Sequence, residues 1–331
     1  MIKILYIIQT FKAPEQIQRL VQIIKRSSAS SEIIISHDYT VSHLDVEPLQ
    51  ALGAQVLKLN GKGGRGDFSM LQGYLDAIEW AYDHQIQFDW VINLSGQDYP
   101  TQPLLMIEQF LELTHYDGFL SYFEAFSDTK ENPWGSREGR NRYLYQYWRS
   151  GLVIPKQTLQ SRALGRLELA IEKVQPFLRV FSIYDCLMVG ANAHSPIFDE
   201  EFSCYGGSYY HTLSSKCVRY LYDFSQQSPQ VVEYYRRTVC PNESFIQTIL
   251  INSGLFNFCN DCKRYLDFAS EEDSSRPRTL RAKDYPVLIQ DNIHFARKFE
   301  PAQDSEILDL LDATILQNPQ GLKTSIDLLH S

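Results

Sequence analysis

The chain has 331 residues, 44% hydrophobic and 21% charged, a balance that suits a globular protein with a sizeable core. Its formal net charge of −9 argues against nucleic acid or an anionic membrane as a bulk partner, while local basic clusters leave room for a small anionic ligand. The 20 Tyr and 18 Phe fit either an aromatic core or surfaces that stack on apolar sugar faces.

The opening Ile2–Ile8 is a short apolar run ending at Gln9-Thr10. It is too short to span a membrane, shows no secretory signal, and reads as a buried parallel strand. A helix is predicted from Pro14, with Ile17, Leu20, Val21, Ile23 and Ile24 as its apolar stripe. Glu32–Ser36 is the second strand, Val46–Leu52 a short helix and Gln55–Leu59 the third strand. A glycine-dense loop, residues 60–66, leads into a helix over Ser69–Tyr82. Strand Trp90–Leu94, helix Leu104–Leu113 and strand Gly118–Tyr122 follow. The alternation predicts a doubly wound, mostly parallel sheet with ligands beyond the carboxyl ends of its strands.

Residues 126–160 read as a long functional loop. Beyond it the pattern predicts helix Ala163–Phe177, strands near Asp185–Val189 and Tyr209–Leu213, helices Ser215–Phe224 and Asn242–Ile251, and a C-terminal amphipathic helix Asp304–Leu316. The expected organisation is one catalytic domain over 1–300, with a nucleotide-binding half (1–125) and an acceptor and catalytic half (126–300). A helical extension covers 301–331.

Several segments could carry chemistry. The glycine loop matches neither the Walker pattern nor the dinucleotide fingerprint, which disfavours a nicotinamide or methyl-donor enzyme. Ser95 and Asp98 lie where a strand ends, so they either face a ligand or close a turn. Glu243 opens a helix behind Asn242, as a first-turn acid or as a general base aimed into a cleft. Arg276–Arg281 and Arg297-Lys298 are basic clusters, and the phenylalanines around the second can bury and draw a cation inward. His37, His211 and His294 lack ligand spacing and read as structural. Cys259 and Cys262 have C-x-x-C spacing without a second pair, so all six cysteines are expected as thiols.

Five segments together resemble glycosyltransferase family 14, the core-2/I-branching β-1,6-N-acetylglucosaminyltransferases and peptide O-xylosyltransferases. They are Ile33-Ile-Ile-Ser-His-Asp38, Leu94-Ser-Gly-Gln-Asp-Tyr-Pro100, Tyr205-Gly-Gly-Ser-Tyr-Tyr210, Pro241-Asn-Glu-Ser-Phe245 and Phe295-Ala-Arg-Lys-Phe299. Order and spacing match over about residues 1–300. The resemblance implies a GT-A type α/β fold and an inverting, metal-independent transfer of N-acetylglucosamine or xylose from a UDP-sugar. Glu243 stands at the family's base, and Arg278 and Lys298 at two cations on the donor diphosphate. His37, Asp38, Arg65, Ser69, Ser95 and Asp98 fall among donor-side positions, and Ser208, Tyr210 and Arg142 on the acceptor side.

No Asp-x-Asp occurs in the chain, in keeping with a cation-assisted leaving group and no cofactor. Two departures touch sugar specificity: Arg65 replaces a Trp before Gly66, and Tyr210 stands at a Trp position. Expected partners are the UDP-sugar and a glycan, glycolipid or glycoprotein acceptor. The expected location is the cytoplasm, with room for peripheral contact at the membrane's cytoplasmic face. A non-catalytic sugar-binding module on the same fold is the alternative.

Overall fold

The computed structural model describes residues 2–59, 66–154, 158–183, 186–268 and 276–316. In chain order the first half comprises β1 (Ile4–Thr10), α1 (Pro14–Ser27), β2 (Glu32–His37), α2 (Glu47–Ala51), β3 (Ala54–Lys58), α3 (Ser69–Asp83), β4 (Trp90–Ser95), β5 (Asp98–Pro100), α4 (Leu104–Leu113), β6 (Gly118–Leu120), β7 (Phe123–Glu124) and α5 (Gly135–Tyr143). The second half comprises β8 (Tyr145–Val153), α6 (Leu159–Val174), β9 (Leu178–Ile183), β10 (Cys186–Asn192), β11 (Tyr205–Gly206), β12 (His211–Ser214), α7 (Ser215–Gln227), α8 (Pro229–Tyr235), α9 (Phe245–Asn252), β13 (Phe258–Cys259), β14 (Arg264–Leu266), α10 (Tyr285–Leu288), β15 (Phe295–Arg297) and α11 (Glu306–Ile315).

Among the described residues the central sheet has seven strands in the order β13-β6-β12-β4-β1-β2-β3. Strands β3, β2, β1 and β4 run parallel. Strand β12 is antiparallel to both β4 and β6. The fold is thus mixed α/β with a mostly parallel core, as the alternation predicts.

The two-residue period of a strand explains the layering. In β1, Ile4, Tyr6 and Ile8 enter one core, while Leu5 and Ile7 enter the other. The first core is capped by the apolar stripes of α1, α4 and α11, and the second by those of α3, α7 and α9. Every residue of β1 is buried, and each such large apolar side chain contributes roughly 1.5–3 kcal/mol. Among the described residues no helix is long and apolar enough to cross a membrane.

Two expectations change. Residues 126–160 are largely regular, because α5 and β8 lie inside them. Strand β8 pairs with β10, and β10 with β9, in a small antiparallel sheet. Its inner face brings Tyr145, Tyr147 and Met188 against Val239 and Cys240. Gly190 is obligatory there, since a Cβ would lie 2.1 Å from the Tyr147 ring. Second, no α-helix begins at Asn242. Pro241–Glu243 is a 3-10 turn and α9 starts at Phe245. The cause is Cys240, a non-glycine residue at φ 51°, ψ 51°, which sets the chain into a tight turn before the helix axis is established.

The last helix, α11, belongs to the core. Ile307, Leu308 and Leu311 are fully buried. Arg19 reaches Asp309 at 2.6 Å and Asp312 at 2.7 Å, and Tyr99 donates to Asp312 at 2.5 Å.

Candidate active site

The sheet's carboxyl ends converge near Gln9, Ser95 and the segment after β11. Gln9 donates to the carbonyl of Met70, and the Tyr209 hydroxyl donates to Gln9 Oε1. This buried knot fixes the start of α3 against residues 207–210. Gln247 on α9 donates to the Ser208 carbonyl at 2.6 Å.

Glu243 sits at the end of the 3-10 turn, and its seat is built from backbone. Its N–H donates to the Cys240 carbonyl at 2.9 Å, and its own carbonyl accepts from Gly207 N–H at 2.8 Å. Cys240 N–H reaches the Gly66 carbonyl at 3.0 Å, while the Tyr143 hydroxyl donates to the Cys240 carbonyl at 3.0 Å. The left-handed Cys240 costs on the order of 1 kcal/mol or more and persists because these bonds over-determine it. Above this rigid seat the Glu243 side chain is 29% exposed.

Arg142 closes the arrangement. Its Nη1 donates to Glu243 Oε2 at 2.6 Å and its Nη2 to Glu138, one helical turn earlier. The guanidinium lies over the Trp134 ring, 4.2 Å from its centroid. Arg142, expected on the acceptor side, is therefore in direct contact with the candidate base, and its fork and planar face are both engaged. Asp67, beside Gly66, faces Arg149 at 3.6 Å.

The other sequence-predicted residues divide. Ser95 N–H and hydroxyl both donate to Asp98, at 2.8 and 2.7 Å, closing the turn after β4. Asp98 is buried, and burial pushes its pKa up against the opposing pull of Arg297 and the Ser95 donors. Arg297 carries this ion pair toward Tyr210, lying 4.4 Å from that ring's centroid. Ser208 accepts from Tyr210 N–H at 3.3 Å, and its carbonyl neighbours the Glu243 seat through Gly207. Ser69 donates to Asp67 by both its N–H and its hydroxyl.

His37 is buried between Thr10 and the Ser42 carbonyl, at 2.7 and 3.0 Å, and burial lowers its pKa. Asp38 accepts from the N–H and hydroxyl of Thr40. Arg65 lies outside the described residues.

The two expected diphosphate cations differ. Arg278 donates from Nε to Asp267 at 2.7 Å and from both Nη atoms to Asp284, at 2.7 and 2.8 Å. Lys298 lies 3.8 Å from Glu300, which also receives Lys12 at 3.0 Å and Gln97 at 3.0 Å. Two lysines around one carboxylate leave a local positive excess there.

A family model described as Core-2/I-Branching enzyme matches residues 54–288. The chain belongs to the core-2/I-branching enzyme family. It is accordingly a glycosyltransferase that transfers a sugar to a glycan acceptor. The match spans the turn bearing Glu243, the helix bearing Arg142 and the Arg278 cluster. Phe295–Phe299 falls beyond its end.

No curated protein matches the sequence. Solved structures with similarity include a nucleoside-diphosphate-sugar pyrophosphorylase from Vibrio cholerae RC9, at 12% identity and TM-score 0.32, covering 76% of this chain and 89% of that one. An inositol-1-phosphate CTP transferase from T. maritima has 7% identity and TM-score 0.38, covering 95% and 96%. At these scores neither carries an argument about this core-2/I-branching family member.

Sequence reasoning missed Trp134, Glu138 and Gly207. Glu138 and Arg142 do carry a signal, the four-residue spacing of a helical ion pair. Gly207 lies inside the Tyr205–Tyr210 segment, but its role, a close backbone approach to Ser121, is visible only in three dimensions. Among the described residues no group of three or more His, Cys, Asp or Glu side chains is arranged to hold a metal ion.

Proposed function

We propose that the protein is an inverting, metal-independent glycosyltransferase using a UDP-sugar, N-acetylglucosamine or xylose as the donated residue, with Glu243 as general base. The observation that carries this reading is the carboxylate of Glu243, part-exposed on a backbone-locked turn and held through Oε2 by Arg142. That contact leaves Oε1 to take the proton of an acceptor hydroxyl. The acceptor oxygen then forms its bond to C1 of the sugar from the face opposite the diphosphate. The C1–O bond to UDP breaks, and its electron pair leaves with UDP. A single displacement of this kind inverts C1 and needs one base and one stabilised leaving group.

Lys298 and Arg278 serve the leaving diphosphate in this reading, Lys298 as a point charge and Arg278 by trading a carboxylate for phosphate oxygens. Lys298 has only its longer 3.8 Å pair with Glu300 to exchange, against the three short donor contacts of Arg278. Tyr210, stacked on Arg297, and Trp134, stacked on Arg142, offer aromatic edges to the sugars.

Glu243→Gln tests the assignment. UDP binding, read by thermal shift, stays intact, while UDP release from the donor falls by at least about 100-fold, the usual weight of a general base. Near wild-type turnover refutes the role. The same thermal-shift assay, run with UDP, UDP-N-acetylglucosamine, UDP-xylose, UDP-glucose and GDP-mannose, with and without EDTA, identifies the donor. A shift abolished by EDTA removes metal independence.

A further inference from the structure

Helix α6 carries aliphatic side chains on its outer face as well as on its inner one. Ser161, Leu164 and Ile171 lie on the half-buried side, whereas Leu159, Ala163, Leu167, Ala170 and Val174 are exposed. Those five positions recur at the 3.6-residue period and form one stripe along the outer face. Leu159 and Val174 are 83% and 84% exposed, and Phe177 just past the helix end is 65% exposed. The exposed Arg162 and Arg166 border the stripe on one side.

The surrounding segment is electrostatically unlike the rest of the protein. Residues 145–192 hold six Lys or Arg and three Asp or Glu, net +3, in a chain of net −9. A short aliphatic stripe beside arginines on a convex helix has the form of a helix that lies in a bilayer interface.

We propose that the outer face of α6, with Phe177 and Leu178, docks the protein onto an anionic lipid bilayer, the aliphatic side chains entering the headgroup boundary while Arg162 and Arg166 pair with lipid phosphates. The acidic body stays away from the membrane, and the local patch overrides the unfavourable bulk charge because attraction falls off within a Debye length. The surface is continuous with the site. The sheet that α6 adjoins through β9 packs Tyr145, Tyr147 and Met188 against Val239 and Cys240, and Arg149 on β8 faces Asp67. Docking through α6 therefore places the lipid beside the small sheet that supports the Glu243 turn.

The test is co-sedimentation of the full chain with phosphatidylcholine vesicles, with and without phosphatidylglycerol, at low and high salt. Binding is expected to the anionic vesicles and to weaken with salt. Val174→Glu lowers the partition by about tenfold, the loss of one buried aliphatic side chain. Arg162→Gln together with Arg166→Gln lowers it by at least about tenfold on anionic vesicles alone. Both variants melt with the wild type, since the altered side chains are exposed. Failure to pellet with either vesicle overturns the proposal, as does pelleting that these variants leave unchanged. A concentration-dependent dimer broken by Val174→Glu, without vesicle binding, overturns it in favour of a second copy as the occupant. The readout contains no sugar transfer, so it stands or falls apart from the catalytic assignment.

Discussion

Replacing Gly207 with alanine puts a methyl group where the structure has no room. An ideal Cβ at Gly207 falls 1.8 Å from the carbonyl oxygen of Ser121 and 3.0 Å from Gln247 Nε2. The oxygen belongs to the backbone and cannot swing aside, so the chain at 207 must retreat by roughly 1.5 Å to approach ordinary contact. The Gly207 N–H is the donor that holds the Glu243 carbonyl at 2.8 Å, so the retreat is transmitted to the proposed base. A displacement of that size at a reacting group costs about 100-fold in turnover, and overpacking of this kind about 1–3 kcal/mol of stability. The assay is UDP release from the donor that stabilises the protein, beside a melting curve and a UDP thermal shift. UDP affinity should survive while turnover and melting temperature fall. Gly165→Ala in α6 is the control, because a Cβ there meets nothing within 4 Å. It should leave transfer unchanged and stabilise the helix by up to ~1 kcal/mol. Wild-type turnover and melting for Gly207→Ala would refute the claim that this backbone contact seats the base.

Lys298→Ala should weaken UDP binding and turnover together, whereas Arg278→Ala should chiefly reduce the stability of the fold, by about 2 kcal/mol at neutral pH, because two carboxylates lose their common donor. The Arg278 donors hold the Asp284 carboxyl below its usual range, so this stabilisation is present above the unfolded carboxylate value and lost as pH falls through the lower folded one. The Arg278→Ala deficit should therefore shrink in acid, and a constant deficit would contradict the ion-pair origin. Burial lowers His211 and His294 to about 3. Between pH 6.5 and that value the unfolded chain binds more protons, so stability should fall by roughly 1 kcal/mol per histidine per unit on acidification. His294→Gln should flatten the slope in a pH series of melting curves, and an unchanged slope would count against it. Arg142→Lys keeps the charge but loses the fork and the Trp134 stack, so turnover should drop about tenfold at unchanged UDP affinity.

The parallel half of the fold was legible because its physics is local. An unbroken apolar run such as Ile4–Ile8 has one stable home, a strand covered on both sides, and α4 begins and ends where its stripe of Leu104, Ile107 and Leu111 does. Strand β12 gave no warning of its antiparallel insertion between β4 and β6, since a four-residue strand carries no direction in its pattern. Strand β8 was hidden by Arg149, Ser150 and Gly151, polar residues at the end of the small sheet. In the site, Glu243 was marked by its motif and Arg142 was named on the acceptor side, but their pairing was not legible, because they lie 101 residues apart. The double clamp of Asp267 and Asp284 on Arg278 was equally invisible, as a basic turn reads the same whether its charges meet water or carboxylates.

The seat of Glu243 draws Gly66, Arg142, Gly207 and Cys240 from four distant stretches of chain, so no fragment of the sequence contains it. Each closure needs a long loop to be drawn shut before any contact compensates the lost freedom, the regime in which assembly is slow. During refolding, helices and the parallel sheet can therefore mature while the protein is still inert. Enzymatic recovery should trail the return of helical signal and keep pace with burial of Tyr143 and Tyr235, which makes turnover a clock for the last tertiary steps of this chain.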